Sequence, residues 1–160
     1  MLKNSKAVFI GSTIMLQKCV EIAIKNFNTV YLISDDKKIN KKIKNSVKII
    51  KFNKLKKIKF DYLFSILNSR IIPEQIIKKA GKLSLNFHDG PLPKYAGLFS
   101  SSWAIVNDEK KHGVCWHKIL KGIDTGDIAE EKKFSIKKNE TAYKVDIKGV
   151  FIGINLEIKM

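Results

Sequence analysis

A chain of 160 residues with 44% hydrophobic content has the length for one domain and the apolar residues to bury a core, as a soluble globular fold requires. Its 31 Lys and Arg against 15 Asp and Glu give a formal net charge of +16, which raises a nucleic-acid or anionic-surface partner as one class to weigh. Lysines break every apolar run short of a membrane span and "MLKNSKAVFIGS" reads as a first strand rather than a signal peptide, so a cytoplasmic protein without a membrane is expected.

In chain order, "KAVFIGS" reads as a strand closed by Gly11. A helix follows with Met15, Leu16, Cys19, Val20, Ala23 and Ile24 at helical spacing and Ser12 or Thr13 as N-cap. "TVYLIS" is the second strand, and a lysine-rich segment leads to a third expected strand at "VKIIKF". "DYLFSIL" reads as a buried strand, "PEQIIKKAG" as a short helix with Gly81 past its end, and "LSLNFH" as the next strand. Beyond a Pro/Gly loop, "SSWAIVND" reads as a helix and "HGVCWHKI" and "IAEEKKFSI" as later strands. From Glu140, Tyr143, Ile147, Val150, Phe151, Ile154 and Ile158 fit the face of a last helix, which Gly149 and Gly153 weaken. This alternation predicts an α/β fold: Rossmann-like, a largely parallel sheet flanked by helices, in a single domain.

Between Lys37 and Lys59, eleven of twenty-three residues are lysine and none is acidic. Nucleic-acid readers recruit arginine and interleave aromatics. Here the chain's one arginine is Arg70 and the block holds only Phe52, so the bias reads as solvated faces and nucleic acid is disfavoured. "VFIGSTIMLQ" occupies the place of a dinucleotide phosphate loop but has one glycine where three are needed. Asp35 and Asp36 then read as strand-end surface residues rather than ribose ligands. Cys19 and Cys115 have no metal-type spacing, and neither a zinc site nor a disulfide framework is implied.

"LSLNFHDGPLPKYAG" carries more chemistry. Strand alternation puts Ser84, Asn86 and His88 on one face, so an amide and an imidazole point the same way at a strand's C-terminal end, where open α/β sheets bind ligands. Such a pair can polarise a carbonyl and move a proton; it can equally be a polar strand end capping the loop. "HGVCWH" repeats the same-face logic with Cys115 and His117, and "GIDTGD" adds Asp124 in a Gly-flanked turn. A nucleophilic Cys115 lacks an electropositive setting in the sequence and reads as strand filling.

The ordered set Asn86-x-His88, "PLPKYAG", "WAI" at Trp103–Ile105, "HGVCWH" and "GIDTGDI" resembles the folate-dependent formyltransferases. The resemblance runs from about Val8 to Ile136, is specific between Leu83 and Ile128, and in wording is most like the branch attached to peptide and polyketide synthetases. It implies formyl transfer from 10-formyltetrahydrofolate to an amine, small or carrier-bound, without metal. In that reading Asn86 and protonated His88 stabilise the oxygen of a tetrahedral intermediate, and Asp124 holds His88 charged and helps relay a proton. The resemblance places the pterin against Ser69, Arg70, Ile71 and Ile72 and against Leu120, Gly122 and Ile123, and gives His117 a supporting role. Residues 1–160 then form one formyltransferase catalytic domain, C-terminally shortened against the family's usual length. The extra domain of tRNA formyltransferases does not follow here, which weighs against that branch. The rival expectations are a formyltetrahydrofolate hydrolase with the same site, a basic nucleic-acid-binding module led by the lysine block, and, last, an NAD-dependent enzyme.

Overall fold

The computed structural model describes residues 2–156. Seven strands, β1 (Lys6–Gly11), β2 (Thr29–Ile33), β3 (Lys48–Ile49), β4 (Phe60–Ile66), β5 (Ala80–His88), β6 (Lys111–Lys118) and β7 (Ile128–Ser135), follow the sheet order β3-β2-β1-β4-β5-β6-β7, and the chain divides into two compact units, Met1–Asn86 and Phe87–Met160. The division falls inside a strand, β5 (Ala80–His88), rather than in a linker.

In the first unit, β1 (Lys6–Gly11) pairs in parallel with β2 (Thr29–Ile33) on one side and β4 (Phe60–Ile66) on the other. β1 and β4 are buried on both faces, as the unbroken apolar runs require of central parallel strands. Phe9 stacks on Phe64 with ring centroids 4.7 Å apart. Gly11 has φ +153°, and a Cβ there would lie 2.2 Å from the Ile66 carbonyl oxygen, so the end of β1 admits only glycine. α1 (Ile14–Asn26) buries Met15, Leu16, Val20 and Ala23. Thr13 is its N-cap by position but makes no side-chain cap bond.

The lysine block departs from expectation. The strand read at "VKIIKF" shrinks to β3 (Lys48–Ile49), and the block is instead built from α2 (Lys37–Ile43) and a 3-10 turn at Phe52–Lys57. Asp36 caps α2, accepting from Lys38 N at 2.8 Å and Ile39 N at 3.2 Å. Ile39, Ile43 and Leu55 are buried while the block's lysines stay exposed, which is a solvated amphipathic surface. α3 (Glu74–Ile77) is shorter than read, and Gly81 lies within β5 rather than past a helix end.

In the second unit, α4 (Ser100–Val106) precedes β6 (Lys111–Lys118) and β7 (Ile128–Ser135), an antiparallel pair in register at Val114 and Lys132. Charged residues along β7 face solvent, which protects an edge strand from pairing with other chains. α5 (Ala142–Ile154) inverts its expected face. Val145, Gly149 and Gly153 are buried, whereas Tyr143 and Phe151 are 72% and 65% exposed. A Cβ on Gly149 would approach Val114 Cγ1 to 3.0 Å, so the glycines that weaken the helix by propensity are what let it lie against β6. Ile158 lies outside the described residues. Among the described residues no helix is long and apolar enough to cross a membrane.

Candidate active site

β5 ends on His88, with Leu85 and Phe87 fully buried and Asn86, two residues before His88 in strand alternation, half-buried. The His88 side chain is 5% exposed, and both ring nitrogens meet oxygen. Its Nε2 lies 2.6 Å from the Tyr95 carbonyl oxygen. A carbonyl only accepts, so Nε2 carries the proton of that bond. Nδ1 sits 3.5 Å from Asp124 Oδ2 and 3.9 Å from Asp89 Oδ1, both long for a hydrogen bond. The firmly held proton is therefore on Nε2, and Nδ1 is the nitrogen left to work.

Gly90 makes this placement possible, because a Cβ there would lie 2.8 Å from Ser100 Cβ and 3.0 Å from His88 Nε2. The Asp89 carbonyl accepts from Ser100 Oγ at 2.6 Å and from His112 Nε2 at 2.9 Å, tying the first residue of the loop to α4 and β6. Burial holds the His112 ring below its ordinary value, so it serves as a neutral donor.

Asp124 reaches the site from a turn closed by glycines. It takes a left-handed conformation, φ 51°, and a Cβ on Gly126 would fall 1.9 Å from the Lys118 carbonyl oxygen. Its Oδ2 accepts from Gly97 N at 2.8 Å in addition to facing His88, and its Oδ1 lies 3.3 Å from His117 Nε2. Burial pushes the carboxyl upward, but the bonds from His117 and Gly97 and the charge of the two imidazoles outweigh it. The group is held below its ordinary value and stays ionised. His117 donates from Nδ1 to the Lys118 carbonyl at 2.9 Å. The arrangement is thus one half-buried carboxylate between two buried imidazoles, with the "PLPKYAG" loop gripping His88 through the Tyr95 carbonyl and Asp124 through the Gly97 amide. It can hold a charged ring beside a reacting carbonyl and pass a proton.

Among the residues expected at the pterin, Leu120 and Ile123 are exposed at 52% and 68% on the Asp124 turn, and a Cβ on Gly122 would strike Thr125 Oγ1 at 2.6 Å. Apolar side chains standing out of a tight, backbone-rich turn fit one face of a flat heteroaromatic ring. Ser69, Arg70, Ile71 and Ile72 belong to the first unit. Arg70 pairs with Asp35 at 3.3 Å and lies over the Phe52 ring at 5.1 Å. With Ser69 and Asn68 it lines a cavity at the ends of β1, β2 and β4. Ile71 is exposed and Ile72 buried.

Cys115 is fully buried, and burial pushes its thiol up to about 12, which removes it as a nucleophile. His112, Asn107 and Glu109 are structural partners of the loop that sequence reasoning did not single out. No periodicity marks them, because their partners are a backbone carbonyl and a phenol hydroxyl.

The family described as Formyl transferase matches residues 25–153. The methionyl-tRNA formyltransferase of Clostridium acetobutylicum is 30% identical over 132 residues, covering 82% of this chain and 40% of that protein. The GDP-perosamine N-formyltransferase of Brucella melitensis is 33% identical over 85 residues, 53% of this chain and 33% of that one. The chain therefore spans less than half the length of either relative. Among solved structures, the N-formyltransferase of Helicobacter canadensis in complex with folinic acid and dTDP-3-aminofucose has a TM-score of 0.81 at 27% identity, covering 97% of this chain and 61% of that one. Glycinamide ribonucleotide transformylase 1 of Symbiobacterium toebii has the same fold, with a TM-score of 0.82 at 17% identity over 97% of this chain and 84% of that one.

Proposed function

Because the chain belongs to the formyl transferase family, we propose that it carries a formyl group from 10-formyltetrahydrofolate to an amine, with Asn86, His88 and Asp124 as its working residues. The observation that carries the reading is the pairing of the buried His88 with the half-buried Asp124, each held by a backbone group of one loop. The folinic acid named with the Helicobacter canadensis enzyme supports a folate as donor. When bound, the folate supplies the formyl carbon and, in tetrahydrofolate, the leaving group. Leu120, Gly122 and Ile123 would hold the pterin on one side, and Ser69, Arg70, Ile71 and Ile72 are its candidate contacts in the first unit.

The amine's lone pair forms the new bond to carbon as the carbonyl pair moves onto oxygen. Asn86, through its amide N–H, and His88, through Nδ1–H, meet the charge that develops there. Each positioned donor of this kind is worth about 3 kcal/mol. Asp124 keeps the ring charged and in place. Collapse of the oxyanion would re-form the carbonyl and break the bond between the formyl carbon and the folate nitrogen, which would take the proton shed by the amine through His88 or water, so the site ends in the protonation state in which it began.

The test is direct. The protein is incubated with 10-formyltetrahydrofolate and a panel of amines comprising amino acids, amino-sugar nucleotides and carrier-bound aminoacyl groups. Tetrahydrofolate release is followed optically and formylated product by mass. Asn86→Ala, His88→Ala and Asp124→Ala run alongside. Product formation that all three variants lose is the expected result. Formate released without any amine would make the protein a hydrolase, and a folate that is neither bound nor consumed would end the reading.

A further inference from the structure

The turn that ends α4 reaches back to the site. Asn107 is the C-cap, Asp108 takes a left-handed conformation with φ 51°, and the amides of Asp108 and Glu109 donate to Ile105 O at 3.0 Å and Ala104 O at 2.9 Å. These are the two bonds of a Schellman stop. Its effect is to bring the side chains on either side of Asp108 to one hydroxyl. Tyr95 Oη donates to Glu109 Oε1 at 2.8 Å and accepts from Asn107 Nδ2 at 3.1 Å, while Lys94 Nζ donates to the same Glu109 oxygen. The Tyr95 ring is 7% exposed and stands edge-on to His112 with centroids 5.9 Å apart. The other end of this residue is the carbonyl that takes the Nε2–H of His88 at 2.6 Å.

We propose that Glu109 and Asn107, delivered by the α4 stop, are positioning residues for His88: by fixing the Tyr95 hydroxyl they fix the Tyr95 carbonyl, and so the rotation of the His88 ring and the nitrogen that keeps its proton. The inference rests on the formyl-transfer reading of the site. The physical argument is that a carbonyl on a free loop can rotate away from an imidazole, whereas this residue is pinned at both ends. Were Tyr95 to swing, Nε2 would lose its acceptor, the tautomer would no longer be fixed, and Nδ1 would cease to be the nitrogen that faces Asp124 and carries the working proton. Glu109 and Asn107 meet the buried Tyr95 at its hydroxyl, the far end from the carbonyl that holds His88, so the loss should fall on turnover rather than on donor binding.

The experiment uses the full chain with Tyr95→Phe, Glu109→Ala, Asn107→Ala and Glu109→Gln. The last keeps an oxygen to accept the Tyr95 hydroxyl while losing the charge. Two readouts are taken on each: steady-state kinetics with 10-formyltetrahydrofolate, and exchange with water of the His88 Nε2–H observed by NMR in protein carrying 15N-histidine. Tyr95→Phe and Glu109→Ala should lower kcat about tenfold with KM for the folate within about twofold, since a small misplacement costs rate rather than binding. In both, the Nε2–H should exchange faster by a similar factor. Asn107→Ala should move both readouts in the same direction by less, because it leaves the Glu109 bond in place. Glu109→Gln should restore most of both.

A merely structural tether would lower the melting temperature and leave the His88 signal where it is. Unchanged exchange in Tyr95→Phe and Glu109→Ala overturns the inference, whatever kcat does. So does Glu109→Gln behaving like Glu109→Ala. If exchange responds as expected but the wild type never consumes the folate, the positioning stands and the proposed function is what fails.

Discussion

Replacing Asp124 with asparagine changes charge and almost nothing in shape. In the native turn, Oδ2 accepts the Gly97 amide and faces His88 Nδ1 at 3.5 Å, and Oδ1 faces His117 Nε2 at 3.3 Å. The asparagine oxygen can keep the Gly97 bond, and once the carboxylate is gone His117 can give up its Nε2 proton, keep the one that Nδ1 donates to Lys118 O, and accept from the asparagine amide group at Nε2. Backbone and burial are therefore satisfied, and folding should survive. What disappears is the negative partner of His88. Two full charges 3.5 Å apart at an effective dielectric near 20 interact by about 4 to 5 kcal/mol. Division of the carboxylate between two rings and residual access of water reduce the share felt at His88 to about 2 to 3 kcal/mol. If that share stabilises the reacting state, kcat for formyl transfer falls by about 30- to 150-fold. The measurement is kcat with 10-formyltetrahydrofolate and the accepted amine, with thermal unfolding as the control. A variant within twofold of wild type would refute the reasoning.

Acid unfolding supplies a second readout of the same variant. The Asp124 carboxyl is lowered in the fold, so its contribution is fully present above the ordinary aspartate value and is lost as pH falls through the lower folded value. Asp124→Asn should lack that acid-side loss, and an unchanged acid limb would count against the ionised carboxylate.

Gly90→Ala puts a methyl 2.8 Å from Ser100 Cβ and 3.0 Å from His88 Nε2, so it should cost about 1 to 3 kcal/mol in chemical denaturation and take formyl transfer with it; full activity would mean the loop gives way freely. Cys115→Ala should leave kcat within about twofold while costing about 1 kcal/mol of stability, and a large loss of turnover would revive the thiol as a participant. Asp36→Ala removes a cap that accepts two α2 amides and should cost about 1 kcal/mol by thermal unfolding, with no effect on activity.

The α/β alternation was readable because each long element has an apolar pattern of one period, and β1, α1, β4, β5, β6 and β7 lie where that pattern puts them. The failures fall where charge or glycine overrides pattern. "VKIIKF" looks like a strand, yet its strand register ends at Lys48–Ile49 against Tyr31–Leu32, with one further bond from Ile50 N to Leu32 O, and the chain then turns to bury Leu55. In α5 Tyr143 and Phe151 fit a helical face yet stand in solvent, and the close approach to β6 is made by Gly149, which has no side chain to announce it. At the site, strand alternation and residue chemistry single out His88 and Asp124 thirty-six positions apart. The grips on them could not be read, because the Tyr95 carbonyl and the Gly97 amide are main-chain atoms that every residue possesses.

That last feature bears on how the site tolerates change over time. The atoms that hold His88 and Asp124 are two residues apart on one loop and belong to the backbone, so side chains at Ala96 and Leu98 are free to drift without loosening either partner. An insertion or deletion between Tyr95 and Gly97 would instead shift one grip against the other in a single event. Selection on this loop should therefore act on spacing before it acts on composition.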